Sequence, residues 1–163
     1  MKIGVVSDTH SHDLPKQMMD DFKDVDLIVH AGDFCSGGDL KTFKKINDFR
    51  AVFGNMDGLE LRQALPERDI FEVEGIKIGV YHGRGFPERV LGFVKKEFKK
   101  SKVDVVIFGH SHYPFNEVID NVLYFNPGSP TDIVRPPYRS YGILEIKNGK
   151  ASGKIIKVRD ENG

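Results

Sequence analysis

From Ile3-Gly4-Val5-Val6 onward, short apolar runs alternate with stretches in which apolar residues recur every three or four positions. Short β-branched runs bounded by turn residues read as buried strands, and the 3.6-residue recurrence reads as amphipathic helix. The first half therefore predicts a strand over 2–7, a helix near 14–23, a strand over 26–30, a helix over 38–47 and a strand over 50–53. Such alternation is the pattern of parallel βαβ units. Next come paired strands over 70–73 and 76–80, turned by Glu74-Gly75, a helix around 87–99 and a further buried strand over 104–108. Strands alone follow, over 115–119, 121–125, 139–146 and 153–158, with turns at Asp120-Asn121 and Asn148-Gly149. The expected fold class is α/β: a sandwich of two β-sheets flanked by helices, closed by a C-terminal antiparallel section.

Composition narrows the functional classes. A length of 163 residues suits one core, since about 100–200 residues per domain is usual, and residues 1–163 are read as a single domain. Lys and Arg number 24, as do Asp and Glu, so the formal charge is zero. Nothing in that total attracts duplex nucleic acid or an anionic membrane, and any affinity for anions must be local. No run approaches the ~20 apolar residues of a membrane span. Met1-Lys2 leads directly into a strand rather than into the apolar segment of a signal peptide, so the expected location is cytoplasmic. A lone Cys35 agrees with a reducing compartment and is expected to be a small buried hydrophobe rather than a nucleophile. The lysines of 95–102 fall opposite Val90, Leu91, Val94 and Phe98, which makes them the wet face of a helix.

The chemistry-bearing side chains fall just past strand ends. Asp8 and His10 follow the first strand, Asp33 the second, Asn55 and Asp57 the third, His82 the strand over 76–80, and His110 with His112 the strand over 104–108. In open α/β sheets the loops at the carboxyl ends of the strands converge on the ligand site, so a metal site at those ends is expected. Residues two apart in extended chain point the same way, which would let Asp8 and His10, and likewise His110 and His112, face one place. Carboxylate, imidazole and amide donors suit Mn²⁺, Ni²⁺, Fe²⁺, Co²⁺ or Zn²⁺. Seven donors exceed the four of a tetrahedral zinc, whereas two ions ~3.5–4 Å apart, as in two-metal hydrolases, would use them all. Four of the seven have a plainer reading: Asn55 could shape the turn Gly54–Gly58, His82 could be a hydrogen-bonded strand end, and Asp8 or Asp33 could cap a helix. His30, inside a strand, and His12 are left outside the donor set.

Taken in order, Asp8-Thr9-His10, Gly32-Asp33, Gly54-Asn55-Met56-Asp57, His82-Gly83 and Gly109-His110-Ser111-His112 resemble the blocks of the calcineurin-like metallophosphoesterases. The short length, the opening Lys2–His10 and the later Asn126-Pro127-Gly128-Ser129 resemble in particular the small YfcE-type phosphodiesterases. The resemblance implies a phosphodiesterase of small or activated phosphodiesters that uses two divalent ions, Mn²⁺ or Ni²⁺ first, to activate water. It further implies that Asp8, His10, Asp33 and His112 hold one ion and Asp33, Asn55, His82 and His110 the other. Asp33 bridges, with its two carboxylate oxygens as the rationale and Asp8 as competitor, and Asp33, Asn55 and His82 are counted as catalytic. Phosphate is expected as product or inhibitor, and a homo-oligomer is left open.

Two departures matter. Met56 stands where the family pattern places a histidine able to protonate the leaving group, and Arg84 where many members carry a second histidine. Arg84, Arg135 and Arg139 are candidate phosphate clamps, with plain surface charge as the competing reading. The alternatives in function are a non-catalytic scaffold like the retromer vacuolar-sorting subunit, which resembles this fold, and a nuclease or nucleotide phosphodiesterase, for which the zero net charge gives no support against duplex DNA.

Overall fold

The structure, a computed structural model, describes residues 1–160. Its first half runs β1 (Lys2–Val6), α1 (Lys16–Asp21) with a 3-10 turn over Phe22–Asp24, β2 (Leu27–His30), α2 (Gly37–Ile46), β3 (Phe49–Ala51) and α3 (Leu59–Ala64). Then come β4 (Arg68–Val73), β5 (Ile76–Tyr81), a 3-10 turn over Pro87–Arg89, α4 (Val90–Phe98) and β6 (Val105–Ile107). The chain continues through β7 (Phe115–Ile119), β8 (Val122–Asn126), β9 (Ser140–Lys147) and β10 (Lys150–Lys157). Only α3 has no counterpart in the sequence reading. It buries a single residue, Leu61, and six residues with one apolar anchor show no legible period.

Two five-stranded sheets form, in the orders β10-β9-β1-β2-β3 and β4-β5-β6-β8-β7. The C-terminal strands do not close the molecule as a section of their own. β9 returns to pair antiparallel with β1, Ile3 opposite Leu144, while β8 pairs parallel with β6, Val106 opposite Tyr124. The three expected turns are tight: both central residues have positive φ at Glu74-Gly75, Asp120-Asn121 and Asn148-Gly149, the backbone that matches the twist of a two-residue hairpin.

Period-two alternation explains the layering. Ile3, Val5, Leu27 and Val29 of the first sheet meet Ile76, Ile78, Val80, Val105 and Ile107 of the second in a core between the sheets. The alternate positions Val6 and Ile28 face outward onto Met18, Phe22, Phe34 and Phe43 of the helical side. On the other outer face Val106 and Tyr124 meet Val90, Val94 and Phe98 of α4. Central strands are thus apolar on both faces, as buried parallel strands must be. Gly4 is required by contact, because a Cβ there would lie 2.7 Å from the Phe22 ring. The parallel strands β1, β2 and β3 of one sheet and β5, β6 and β8 of the other carry the site loops at their carboxyl ends.

Candidate metal centre

The loops after these strands interlock through their backbones: Asp8 N–H donates to the Gly32 carbonyl at 2.9 Å and His10 N–H to that of Asp33 at 3.0 Å. Asp8 (φ 58°), His10 (49°), Asp33 (62°), His110 (68°) and His112 (66°) all lie in the left-handed region. The expectation of extended Asp-Xaa-His and His-Xaa-His segments is therefore corrected. Seven of the twelve described non-glycine residues with positive φ fall in these loops, the others being Glu74, Lys102, Asp120, Asn121 and Asn148. Each costs on the order of 1–3 kcal/mol and persists only where surrounding contacts impose it. Asp8 and Asp33 cap no helix, since α1 begins after Pro15 and α2 after Ser36.

Each carboxylate turns one oxygen inward. Asp8 Oδ2 accepts from Ser7 Oγ at 2.8 Å and from His110 N–H at 3.0 Å. Its Oδ1 is buried with no hydrogen-bond partner, yet lies 3.4 Å from His112 Nε2 and 3.7 Å from both His10 Nε2 and His82 Nε2. Asp33 Oδ1 accepts the Met56 N–H at 2.8 Å, leaving Oδ2 at 3.2 Å from His82 Nε2 and 3.7 Å from His10 Nε2. The two-oxygen rationale for Asp33 therefore fails, because what it offers inward is a single oxygen placed between two imidazoles.

The four imidazoles share one arrangement, an outer nitrogen tethered and an inner one aimed at the acids or, for His110, at the Asn55 amide oxygen. His82 donates Nδ1–H to the Ala31 carbonyl at 2.7 Å, and His110 donates Nε2–H to that of Gly85 at 2.8 Å. His112 Nδ1 is 2.6 Å from Asp132 Oδ2, and His10 Nδ1 is 3.3 Å from Cys35 Sγ. The inner nitrogens left over are Nε2 of His10, His82 and His112 and Nδ1 of His110. Asn55 Oδ1 meets two of them, 3.1 Å from His82 Nε2 and 3.0 Å from His110 Nδ1. Two groups of close donors result, Asp8–His10–His112 and Asp33–His82–His110. A hydrogen bond on one nitrogen fixes the tautomer that frees the other. With a partnerless buried carboxylate oxygen at the middle, this donor set fits a pair of divalent cations.

Electrostatics follow from the crowding. Burial alone would raise the Asp8 carboxyl, but the imidazoles of His82, His10 and His112 outweigh it and hold the group well below the usual carboxylate range. Burial opposes protonation of His82, yet Asp8 and Asp33 push it up to about 9. His112 is raised in the same way, against burial, by Asp8 and Asp132. The site is a nest of buried acids seeking positive charge.

The remaining candidates divide. His30 is buried, stacked on Phe34 at 3.5 Å between ring centres, and held by Thr9 Oγ1 at 3.1 Å and Gly32 N–H at 3.0 Å; burial keeps it neutral. A cavity of about 940 Å³ opens over both donor groups and is lined also by His12, Met56, Thr131–Arg135 and Arg139. Arg84 is elsewhere, stacked on Phe93 at 4.7 Å. Arg139 pairs with Asp160 at 3.5 Å. A groove of about 1350 Å³ beside α1 and β10 contains none of the seven donors. Cys35 corrects its expectation: it is exposed, held in a left-handed loop beside His10. The partial desolvation its neighbours still impose, with the charges of Asp33, Asp57, Asp8 and Asp39, pushes the thiol up to about 11, so it stays protonated at neutral pH.

Two acids act where sequence reasoning assigned nothing. Asp57 is buried and accepts three backbone N–H groups, from Asp33 (3.0 Å), Gly54 (2.8 Å) and Cys35 (2.8 Å), so it knots the second and third loops together. Its place in the Gly54-Asn55-Met56-Asp57 block was the available signal. Asp132 has none, since it lies 20 residues beyond the histidine it contacts.

Gly54 closes this knot. A Cβ there would fall 2.1 Å from Asp33 Oδ1 and 2.6 Å from Asp33 N, so Gly54→Ala should displace Asp33 and lower metal affinity by roughly 10–100-fold, the scale for disturbed ligand support. Calorimetric metal titration checks it, and unchanged affinity would contradict the contact.

Comparison with known proteins agrees with the geometry. Residues 1–149 match the model of the calcineurin-like phosphoesterase superfamily domain. A probable metallophosphoesterase of Methanocaldococcus jannaschii is 41% identical over 171 residues, covering 98% of this chain and 83% of the relative. A phosphodiesterase of the same organism is 35% identical over 144 residues, covering 78% and 83%. Among solved structures, Chaetomium thermophilum Vps29 superposes with a TM-score of 0.85 at 21% identity over 100% of this chain and 90% of that one, a likeness of fold.

Proposed function

The chain belongs to the calcineurin-like phosphoesterase superfamily, and from that premise we propose that it is a dinuclear-metal phosphodiesterase of small or activated phosphodiesters. The observation that carries this reading is the set of four imidazoles, each tethered behind and aimed inward at Asp8 Oδ1, Asp33 Oδ2 or Asn55 Oδ1. Asp8, His10, Asp33 and His112 would hold one ion, and Asp33, Asn55, His82 and His110 the other. Two divalent ions held there would supply Lewis acidity that lowers the pKa of water and positive charge facing phosphoryl oxygens. The chain's own part is to fix the donors, to offset two of the four positive charges with Asp8 and Asp33, and to present Arg135 and Arg139 in the same cavity, where a guanidinium can take two phosphate oxygens. Donors that mix carboxylate, imidazole and amide suit Mn²⁺, Ni²⁺, Fe²⁺, Co²⁺ or Zn²⁺ alike, and it is the family resemblance that puts Mn²⁺ and Ni²⁺ first.

Chelator-treated protein should regain hydrolysis of bis(p-nitrophenyl) phosphate when Mn²⁺ or Ni²⁺ is added, with inorganic phosphate inhibiting competitively. A second reading, a protein-binding scaffold, draws on exposed apolar side chains at the same cavity: Met56, Ile133 and Val134 are 60%, 79% and 84% exposed. It prevails if metal-replete protein neither binds phosphate nor hydrolyses the activated diester.

A further inference from the structure

Among the four tethered imidazoles, His112 alone has a charged outer partner. His82 and His110 rest on the carbonyls of Ala31 and Gly85, and His10 on the Cys35 sulfur. Behind His112 stands Asp132, whose Oδ2 is 2.6 Å from Nδ1. The other oxygen of the same carboxylate accepts the backbone N–H of Val134 at 2.8 Å and of Arg135 at 3.3 Å. Asp132 is itself anchored on the first loop: its N–H donates to Ser129 Oγ at 3.0 Å, and Ser129 Oγ donates to the Asp8 carbonyl at 2.9 Å. Thr131 Oγ1 adds a bond to the Thr9 carbonyl at 3.0 Å.

We propose that Asp132 is a positioning residue with two arms. One fixes the His112 ring so that Nε2 faces Asp8 and His10, and the other shapes the turn that lines the cavity with Ile133, Val134 and Arg135. A carboxylate behind a ligating imidazole sets its tautomer and orientation and strengthens it as a donor, and losing such a partner commonly weakens metal binding by roughly 10–100-fold. The effect falls on one ion: Asp132 is bonded to His112 of the Asp8–His10–His112 group and makes no hydrogen bond or ion pair to His82 or His110. The turn arm acts on substrate instead, because Ile133–Arg135 line the cavity over the donors. This inference rests on the metal reading above.

The test is a calorimetric titration of chelator-treated wild type, Asp132→Asn and Asp132→Ala with Mn²⁺, with melting temperature and steady-state kinetics on bis(p-nitrophenyl) phosphate alongside. Wild type should take up two ions. In Asp132→Ala one ion should bind roughly 10–100-fold more weakly with the other unchanged, and KM should rise because the turn loses its anchor. Asp132→Asn is nearly isosteric, and its single amide oxygen can serve only one arm while its NH₂ meets N–H donors on the other. It should therefore show either the metal defect or the KM defect at an unchanged melting temperature. Two ions held at wild-type affinity in both variants would overturn the proposal, as would equal weakening of both ions together with a lowered melting temperature, which marks a merely structural role. Failure of wild type to take up any Mn²⁺ would overturn the dinuclear reading itself, a result distinguishable because it appears before any substitution is made.

Discussion

Asp33→Ala is expected to lower the proposed phosphodiester hydrolysis by roughly a thousandfold or more, about 4 kcal/mol of barrier, and to leave the proposed two-ion site incompletely filled. The carboxylate does two jobs in different loops. Its Oδ1 holds the Met56 N–H, while Oδ2 stands 3.2 Å from His82 Nε2 in one donor group and 3.7 Å from His10 Nε2 in the other. Losing it removes the inward oxygen shared between the groups and frees the third loop. Elemental analysis and turnover measured on the same preparation check the result. Asp8→Ala is the control, because Asp8 Oδ1 also lies 3.7 Å from both His10 and His82. If Asp8→Ala loses both ions while Asp33→Ala loses one, the bridging role belongs to Asp8. Unchanged metal and turnover in Asp33→Ala would sink the assignment altogether.

Aryl diesters should outpace alkyl diesters by roughly 10²–10⁴-fold beyond what the metal-activated attack alone would give, which is the range a general acid contributes when present. By the family resemblance, Met56 occupies the position of a proton-donating histidine. Its backbone is pinned by Asp33, its side chain is 60% exposed at the cavity, and it carries no proton to give. A leaving group must then depart as its anion, so the rate should fall steeply as the pKa of the departing alcohol rises. A series of p-nitrophenyl, phenyl and alkyl diesters measures the slope, and Met56→His, in so exposed a place, should flatten it. Equal rates across the series would instead mean that another acid replaces the missing histidine, with His12, which lines the same cavity, as the candidate.

Much of this was legible because strands and metal-type donors leave local marks. The run Leu27-Ile28-Val29-His30 reads as a strand whatever lies beside it, and Asp33 after it reads as a residue at its carboxyl end. The hairpin at Asn148-Gly149 was equally plain. What escaped depends on distance in the chain. The partnership of β1 with β9 joins Ile3 to Leu144, and no local pattern announces it. The left-handed backbone at Asp8 and His112 is imposed by neighbouring loops, so spacing alone suggested extended chain. The pattern places Cys35 inside because cysteines usually are; the structure ties its N–H to the buried Asp57 and, with a left-handed backbone at Cys35, leaves the side chain exposed beside His10.

No proposed metal donor lies beyond His112, yet the first of them depend on the last strands. β1, whose carboxyl end leads into Asp8 and His10, has β2 on one side and β9 on the other, and β9 is in turn covered by β10 along eight residue pairs. As a chain leaves the ribosome, β1 and β2 can meet early, but the far edge of β1 stays unpaired until residues 140–147 have emerged. An open strand edge invites the wrong partner, and closing so long a loop is slow. If ions bind as proposed, cations supplied during synthesis would meet His82 and His110 before the loop carrying Asp8 and His10 is braced on its far side, and filling of the site would wait until residues 140–147 have emerged.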